Sequence, residues 1–367
     1  MLPDPTRVGP TCADEDDVPD SPLPAITRRP HGAHHDHGGV DDRSRDRGRR
    51  RDRRRTPRAG IRLVALTPLV AGLALVGCGS GGAGGSSEGK DGRLPVVATT
   101  SQVADFTRVV GGDRVTVTQI VRPGVDPHDY EPAPADLAAI GDAKVLVQNG
   151  VGLESWLEDT IDASGFDGVR VNASDGVRIR AGQGDEEKAG DPHIWHNPLN
   201  VKIMVADIER GLAQAEPSAA ARFHANRVAY DAQLDALDAD IRRQIATIPV
   251  ANRKLVTNHD AFGYYVERYG LTFVGSIIPS FDTSAELSGS NIRKLVERIR
   301  QTGTKAVFSE SSLPRRTAQT IADEAGVRVE AGEDSLYGDS LGPAGSDGDT
   351  YLHMEEHNTR TIVTALR

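Results

Sequence analysis

Three histidines in the chain share a setting that suits metal coordination. His128 lies in Asp126-Pro127-His128-Asp129-Tyr130, His193 in Asp191-Pro192-His193-Ile194-Trp195-His196, and His259 in Thr257-Asn258-His259-Asp260. Neutral imidazole nitrogen is a good ligand for zinc and its neighbours in the first transition row. Two of the three follow proline, whose fixed φ stiffens the backbone beside the ligand. Asp339, on the Gly-rich turn Tyr337-Gly338-Asp339-Ser340-Leu341-Gly342, is the carboxylate candidate. Three imidazoles, one carboxylate and Zn²⁺ leave a single net positive charge, which costs less to bury than a bare dication. Bonds of about 2.0–2.1 Å to nitrogen and about 2.0–2.2 Å to oxygen are expected. Four protein ligands close the coordination sphere and suit holding a metal, whereas a catalytic zinc keeps a position open for water.

The elements that must position these side chains read as alternating strands and helices. Strands are predicted over 95–99, 115–121, 144–148 and 169–172, with helices at 103–110, 135–140 and 153–161. The pattern repeats with strands at 254–257, 273–277, 306–309 and 328–330 and helices at 291–302, 315–325 and 353–366. Alternation of this kind predicts the α/β class, as two units with parallel sheets. His128 and His259 then follow strands, at the end where α/β domains bind ligands. A helix is predicted over 200–215, and 219–247 contains neither Gly nor Pro. There Tyr230, Leu234, Leu237, Ile241 and Ile245 fall at steps of 4, 3, 4 and 4, one helical stripe. Such a helix would run about 40 Å, enough for a strut along both units, although a plain surface helix has the same pattern.

The chain has 367 residues, which suggests two domains, and carries 43 Lys+Arg against 53 Asp+Glu. That acidic balance argues against nucleic acid as the main partner. Two cysteines, Cys12 and Cys78, exclude a Cys-rich zinc module. The N-terminal part differs from the rest: residues 1–77 hold 14 Arg and 11 acidic residues. The run RRRDRRR at 49–55 precedes the apolar stretch 61–76 and then Gly77-Cys78, the layout of a secretory signal peptide. Leu75-Val76-Gly77-Cys78 resembles a lipobox, which would make Cys78 the lipidated new N-terminus. Residues 1–77 are therefore expected to be a disordered extension plus a signal peptide, and His31, His34, His35 and His37 lie upstream of the cleavage point. Residues 78–93 read as a Gly/Ser tether. No run of about 20 apolar residues follows Cys78, so the body is not expected to span a membrane. The expected divisions are a first lobe at 94–215, a linking helix at 216–248 and a second lobe at 249–367.

Four segments in this order, VDPHDYEP, DPHIWHNP, TNHDAFGYYVERYGL and SLYGDSLGP, make residues 94–367 resemble the zinc/manganese solute-binding lipoproteins of ABC importers, the ZnuA/TroA-like family. The resemblance implies two α/β lobes, parallel sheets flanked by helices, joined by one long rigid helix with metal between them. It implies ligands His128 and His193 from the first lobe and His259 and Asp339 from the second. Glu310 and His196 would stand around the ligands rather than among them, Glu310 orienting a histidine through its free N–H. Relatives that prefer manganese often carry Glu where this chain has His259, which points to Zn²⁺ and leaves Mn²⁺ open. Many zinc relatives carry a His-rich loop where residues 182–190 are short, acidic and free of His.

The implied protein is a lipid-anchored, monomeric receptor on the outer face of the cell membrane, not an enzyme. It would deliver the ion to an ABC permease driven by an ATPase, since no GxxxxGK[ST] is present to supply energy itself. It would meet the membrane through its anchor only and would not bind nucleic acid. A manganese receptor, a metal-dependent adhesin or buffer, and a zinc hydrolase are the alternatives; the last lacks HExxH. His224 is expected on a solvated helix face, and His353 and His357, spaced i, i+4, have no evident third partner. Trp156 and Trp195 are expected to pack, Trp195 shielding His193 from water.

Overall fold

The computed structural model describes residues 92–182 and 187–367, which fall in one compact unit. The predicted signal peptide, Cys78 and the predicted tether up to residue 91 lie outside the described residues.

Four short strands build the first lobe: β1 (Leu94–Ala98), β2 (Val115–Gln119), β3 (Val145–Gln148) and β4 (Val169–Asn172). All pairings are parallel, in the order β2-β1-β3-β4. Side chains alternate across this sheet as period-2 geometry requires. Val96, Ala98, Val145 and Val147 face one core with Phe106 and Met204, and Val97 and Leu146 face another with Ile140 and Leu157. Helices α1 (Ser101–Gly111) and α4 (Pro198–Ala215) thus cover one face, and α2 (Pro134–Asp142) and α3 (Leu157–Ser164) the other. Helix α3 starts later than the predicted 153. Glu154 is held back by Thr99 Oγ1 at 2.6 Å and the Asn149 N–H at 2.7 Å, so its segment stays a turn.

Helix α5 (Ala220–Ala246) is the predicted long helix, 27 residues. Its stripe Tyr230, Leu234, Leu237, Ile241 and Ile245 is buried. It packs along α4 and α1 and against α9 (Tyr351–Leu366), the last helix of the chain. It is therefore a joining element between lobes rather than a plain surface helix.

The second lobe pairs β5 (Lys254–Thr257) with β6 (Thr272–Ser276), and β7 (Ala306–Phe308) with β8 (Arg328–Glu330), both in parallel. β5 lies beside β7, but among the described residues the ladders remain two pairs rather than one continuous sheet. Helices α7 (Gly289–Thr302) and α8 (Arg315–Ala325) cover them through Leu295, Ile299 and Ile321. One helix escaped prediction: α6 (Gly263–Tyr269), which opens on Gly and carries three tyrosines. Its stability comes from burial of Tyr264, Tyr265 and Tyr269, not from propensity. A single apolar cluster runs from Val96 and Phe106 through Leu234 to Leu255, Tyr265 and Tyr351, so the core is continuous across both lobes. Among the described residues no helix is long and apolar enough to cross a membrane.

Candidate metal centre

Each of the four candidate ligands is set on a short, stiffened segment. His128 and His193 both occur in Asp-Pro-His, and both triplets fold alike. The Asp carboxylate accepts the histidine's own backbone N–H, at 2.9 Å for Asp126–His128 and 3.0 Å for Asp191–His193. The His193 turn is followed by a 3₁₀ turn, Ile194–His196, and then by α4, capped by the Asn197 side chain with Pro198 at its first position. His259 stands two residues beyond β5, where the Thr257 hydroxyl donates to its carbonyl at 2.6 Å. Asp339 is fixed by its neighbours. Gly338 O accepts from Trp195 Nε1 at 3.1 Å, and Ser340 Oγ accepts from Gly124 N at 2.7 Å, both across to the first lobe.

The four side chains converge. One ligand-capable atom from each of His128, His193, His259 and Asp339 lies within 4.8 Å of the others. Asp339 approaches the Nε2 atoms of His259, His193 and His128 at 3.1, 3.3 and 3.7 Å, and the Nε2 atoms of His193 and His259 are 3.2 Å apart. The edges of a tetrahedron with zinc–ligand bonds of about 2.0–2.1 Å are about 3.3 Å long, so the spacing fits one ion at the centre. His193, His259 and Asp339 are fully buried. His128 Nε2 and both Asp339 oxygens make no well-aligned hydrogen bond. Buried polar atoms without partners are costly, and a cation among these atoms would satisfy them together.

Behind two of the imidazoles stands a buried carboxylate. Asp191 Oδ1 meets His193 Nδ1 at 2.8 Å, and Glu310 Oε2 meets His259 Nδ1 at 2.7 Å. The Asp191 hydrogen bond fixes the His193 tautomer so that Nε2 points at the ion, while Glu310 Oε2 faces His259 Nδ1 at ion-pair distance without hydrogen-bond alignment. Glu310 can approach because Gly338 has no side chain: a Cβ there would lie 2.5 Å from Glu310 Oε2. Burial works against charge on His193, but the hydrogen bond to Asp191 and the nearby Asp339 carboxylate outweigh it and hold its pKa up at about 9. Burial likewise opposes charge on His259, yet Asp339 and Glu310 carry it well above the usual value. Burial lowers His128 to about 4. Asp339, despite burial, is held well below the usual carboxylate range by His259 and His193. The surrounding carboxylates thus favour positive charge at this centre.

Residues 96–365 match the family described as zinc-uptake complex component A, periplasmic (ZnuA). The chain belongs to this family. Relatives of this chain include the manganese-binding lipoprotein MntA of Bacillus subtilis. It is 36% identical over 304 residues, covering 82% of this chain and 97% of MntA. The zinc-binding protein TroA of Treponema pallidum is 32% identical over 286 residues, covering 77% of this chain and 92% of TroA. The solved TroA structure superposes with a TM-score of 0.70 at 30% identity, over 75% of this chain and 99% of that one. The two-lobe α/β architecture joined by a long helix is thus the ZnuA-family fold.

Among the described residues of this ZnuA-family chain, the remaining histidines sit apart from the cluster. His196 is buried, with Nδ1 2.8 Å from Glu355 Oε1 and its ring stacked on Phe262 at 4.3 Å. Its partner is therefore on α9, not in the metal centre. His224 is exposed beside Glu209, His353 pairs with Asp349, and His357 Nε2 lies 2.9 Å from the Ser335 carbonyl. His353 and His357 share no ligand position. Trp195 is buried with its ring edge-on to His193, and Trp156 donates to Pro127 O at 3.1 Å, bracing the His128 loop. Sequence reasoning singled out neither Asp191 nor Arg180, whose guanidinium is ion-paired with Asp191. The signal for Asp191 was available in the repeated Asp-Pro-His triplet; for Arg180 there was none.

Proposed function

We propose that the chain is an extracytoplasmic receptor that captures Zn²⁺ with His128, His193, His259 and Asp339 and hands it to a membrane ABC permease with its ATPase. The observation that carries this reading is the closed, buried set of four ligand atoms within 4.8 Å. A sphere filled by protein leaves no position for an activated water, which favours a carrier over a hydrolase. Three imidazoles suit zinc. The first lobe, 94–215, and the second, 249–367, supply two ligands each, so a permease that shifts either lobe's loops would halve the coordination and release the ion. The lobes are linked by 216–248. We further propose a monomer held to the membrane by lipid on Cys78, which the lipobox-like Leu75-Val76-Gly77-Cys78 supports.

Manganese is the second reading, favoured by relatives such as MntA that are named for it. Elemental analysis and X-ray absorption on the chain purified without chelator, with Zn²⁺ competed against Mn²⁺, test both. One zinc with about four nitrogen and oxygen ligands is the expected result. Preferential retention of manganese would transfer the assignment to the second reading. An exchangeable water on zinc would reopen the hydrolase, and no metal uptake would remove the receptor reading.

A further inference from the structure

The two outer carboxylates are held in different ways. Glu310 turns both oxygens to His259, accepting its backbone N–H at 2.9 Å with Oε1 and facing Nδ1 with Oε2. Asp191 divides its oxygens: Oδ1 serves His193, and Oδ2 takes the Arg180 guanidinium. Asp191 is fully buried, so without Arg180 that second oxygen would be a desolvated charge with no cation.

Arg180 reaches Asp191 by crossing the first residue of α6. A Cβ at Gly263 would lie 1.4 Å from Arg180 Nη1, so only glycine leaves room for the guanidinium. Its Nε lies 3.4 Å from Glu267 Oε2, and its Cζ lies 5.5 Å from the centre of the Tyr264 ring. The Tyr264 hydroxyl accepts the Arg180 backbone N–H at 3.0 Å and donates to the Asp191 carbonyl at 2.9 Å. Gly263, Tyr264 and Glu267 all belong to α6, in the second lobe, while Arg180, Asp191 and His193 belong to the first. The support behind a first-lobe imidazole is therefore guided by a second-lobe helix.

Resting on the receptor reading above, we infer that Arg180 is a positioning residue for metal capture: it aims His193 through Asp191, and only while α6 backs it. The hold of His193 on the ion is thereby coupled to contact between the lobes. If Arg180 were merely a staple between lobes, its loss would lower stability and leave affinity alone.

The test is zinc affinity of the full chain, by competition with a chromophoric chelator, for Arg180→Gln and Gly263→Ala, each alone and combined with Asp191→Asn. Gly263→Ala keeps the arginine but displaces its guanidinium, and alanine suits a helix better than glycine. Each single variant is expected to bind about ten-fold more weakly, the low end for loss of an outer partner. In the Asp191→Asn background neither should weaken binding further, because the route to His193 is already cut. Unchanged affinity with only a lower melting temperature would overturn the inference, as would an equal additional loss in that background. A parent chain that takes up neither zinc nor manganese would overturn the receptor reading and this inference together. A parent that binds normally beside an unaltered Arg180→Gln would overturn the inference alone.

Discussion

The Thr283 hydroxyl donates a hydrogen bond to Asp126 Oδ2 at 2.7 Å. Asp126 is the residue whose other oxygen holds the His128 backbone, so a second-lobe loop is tied to the loop that carries a first-lobe imidazole. Nearby, Glu187 Oε1 accepts from Ser280 Oγ and Phe281 N at 3.2 and 3.1 Å, a second tie between the same two sides. Thr283→Val keeps the shape and removes the donor. Losing one net hydrogen bond of about 1 kcal/mol should speed zinc dissociation about five-fold, measured by stopped-flow capture with excess chelator. An unaltered rate would show that this tie does not restrain release.

Removing a proposed ligand should cost more than removing any support. His128→Ala, His193→Ala, His259→Ala and Asp339→Ala should each weaken zinc binding by more than about 100-fold, the upper range for outer partners. His224→Ala should leave it unchanged, since that side chain is exposed and pairs with Glu209. Isothermal titration separates the two classes, and equal effects at all five would defeat the assignment.

Proton release gives a pH test. Burial disfavours charge on His193 and His259, but neighbouring carboxylates raise the first to about 9 and the second well above its usual value. Both shifts favour the protonated form in the metal-free chain, and coordination requires neutral imidazole. Metal uptake near neutral pH should therefore release protons, and affinity should fall as the pH falls. His128, lowered to about 4, adds to this only under strongly acidic conditions. Calorimetry in buffers of different ionisation enthalpy counts the protons; a count near zero would contradict the charge state described for the empty centre.

Gly338→Ala examines the support behind His259. The added methyl would lie 2.5 Å from Glu310 Oε2 and must push that carboxylate from the imidazole. An affinity loss of about ten-fold is expected, with the four ligands still in place by X-ray absorption. Wild-type affinity would mean that Glu310 is not needed to orient His259.

Much of this was legible in the sequence, for identifiable reasons. His128, His193 and His259 stood out because each sits beside a proline or just past a strand, and such features are local. The α5 stripe was legible because a helix repeats its buried face every three or four residues. Helix α6 was not, since its glycine and tyrosines favour helix only once a core surrounds them. Arg180 was silent for a related reason. Its meaning depends on a glycine more than 80 positions away in the other lobe, and no local pattern encodes that meeting.

Helix α9 starts in the second lobe's sequence yet rests on α1 and α5, with the Tyr351 ring 5.1 Å from Phe106 and the Tyr351 N–H on Asp105. Together with α5 it makes the molecule behave as a braced beam rather than a clam shell. Loading and emptying are then expected to involve loops at the mouth while the frame stays put. Spin labels at the exposed positions Asp142 and Gln319 should report nearly the same separation with and without metal. If that separation holds, a membrane partner would have no large closure to sense and would have to distinguish a filled carrier from an empty one by the local posture of loops such as 280–283.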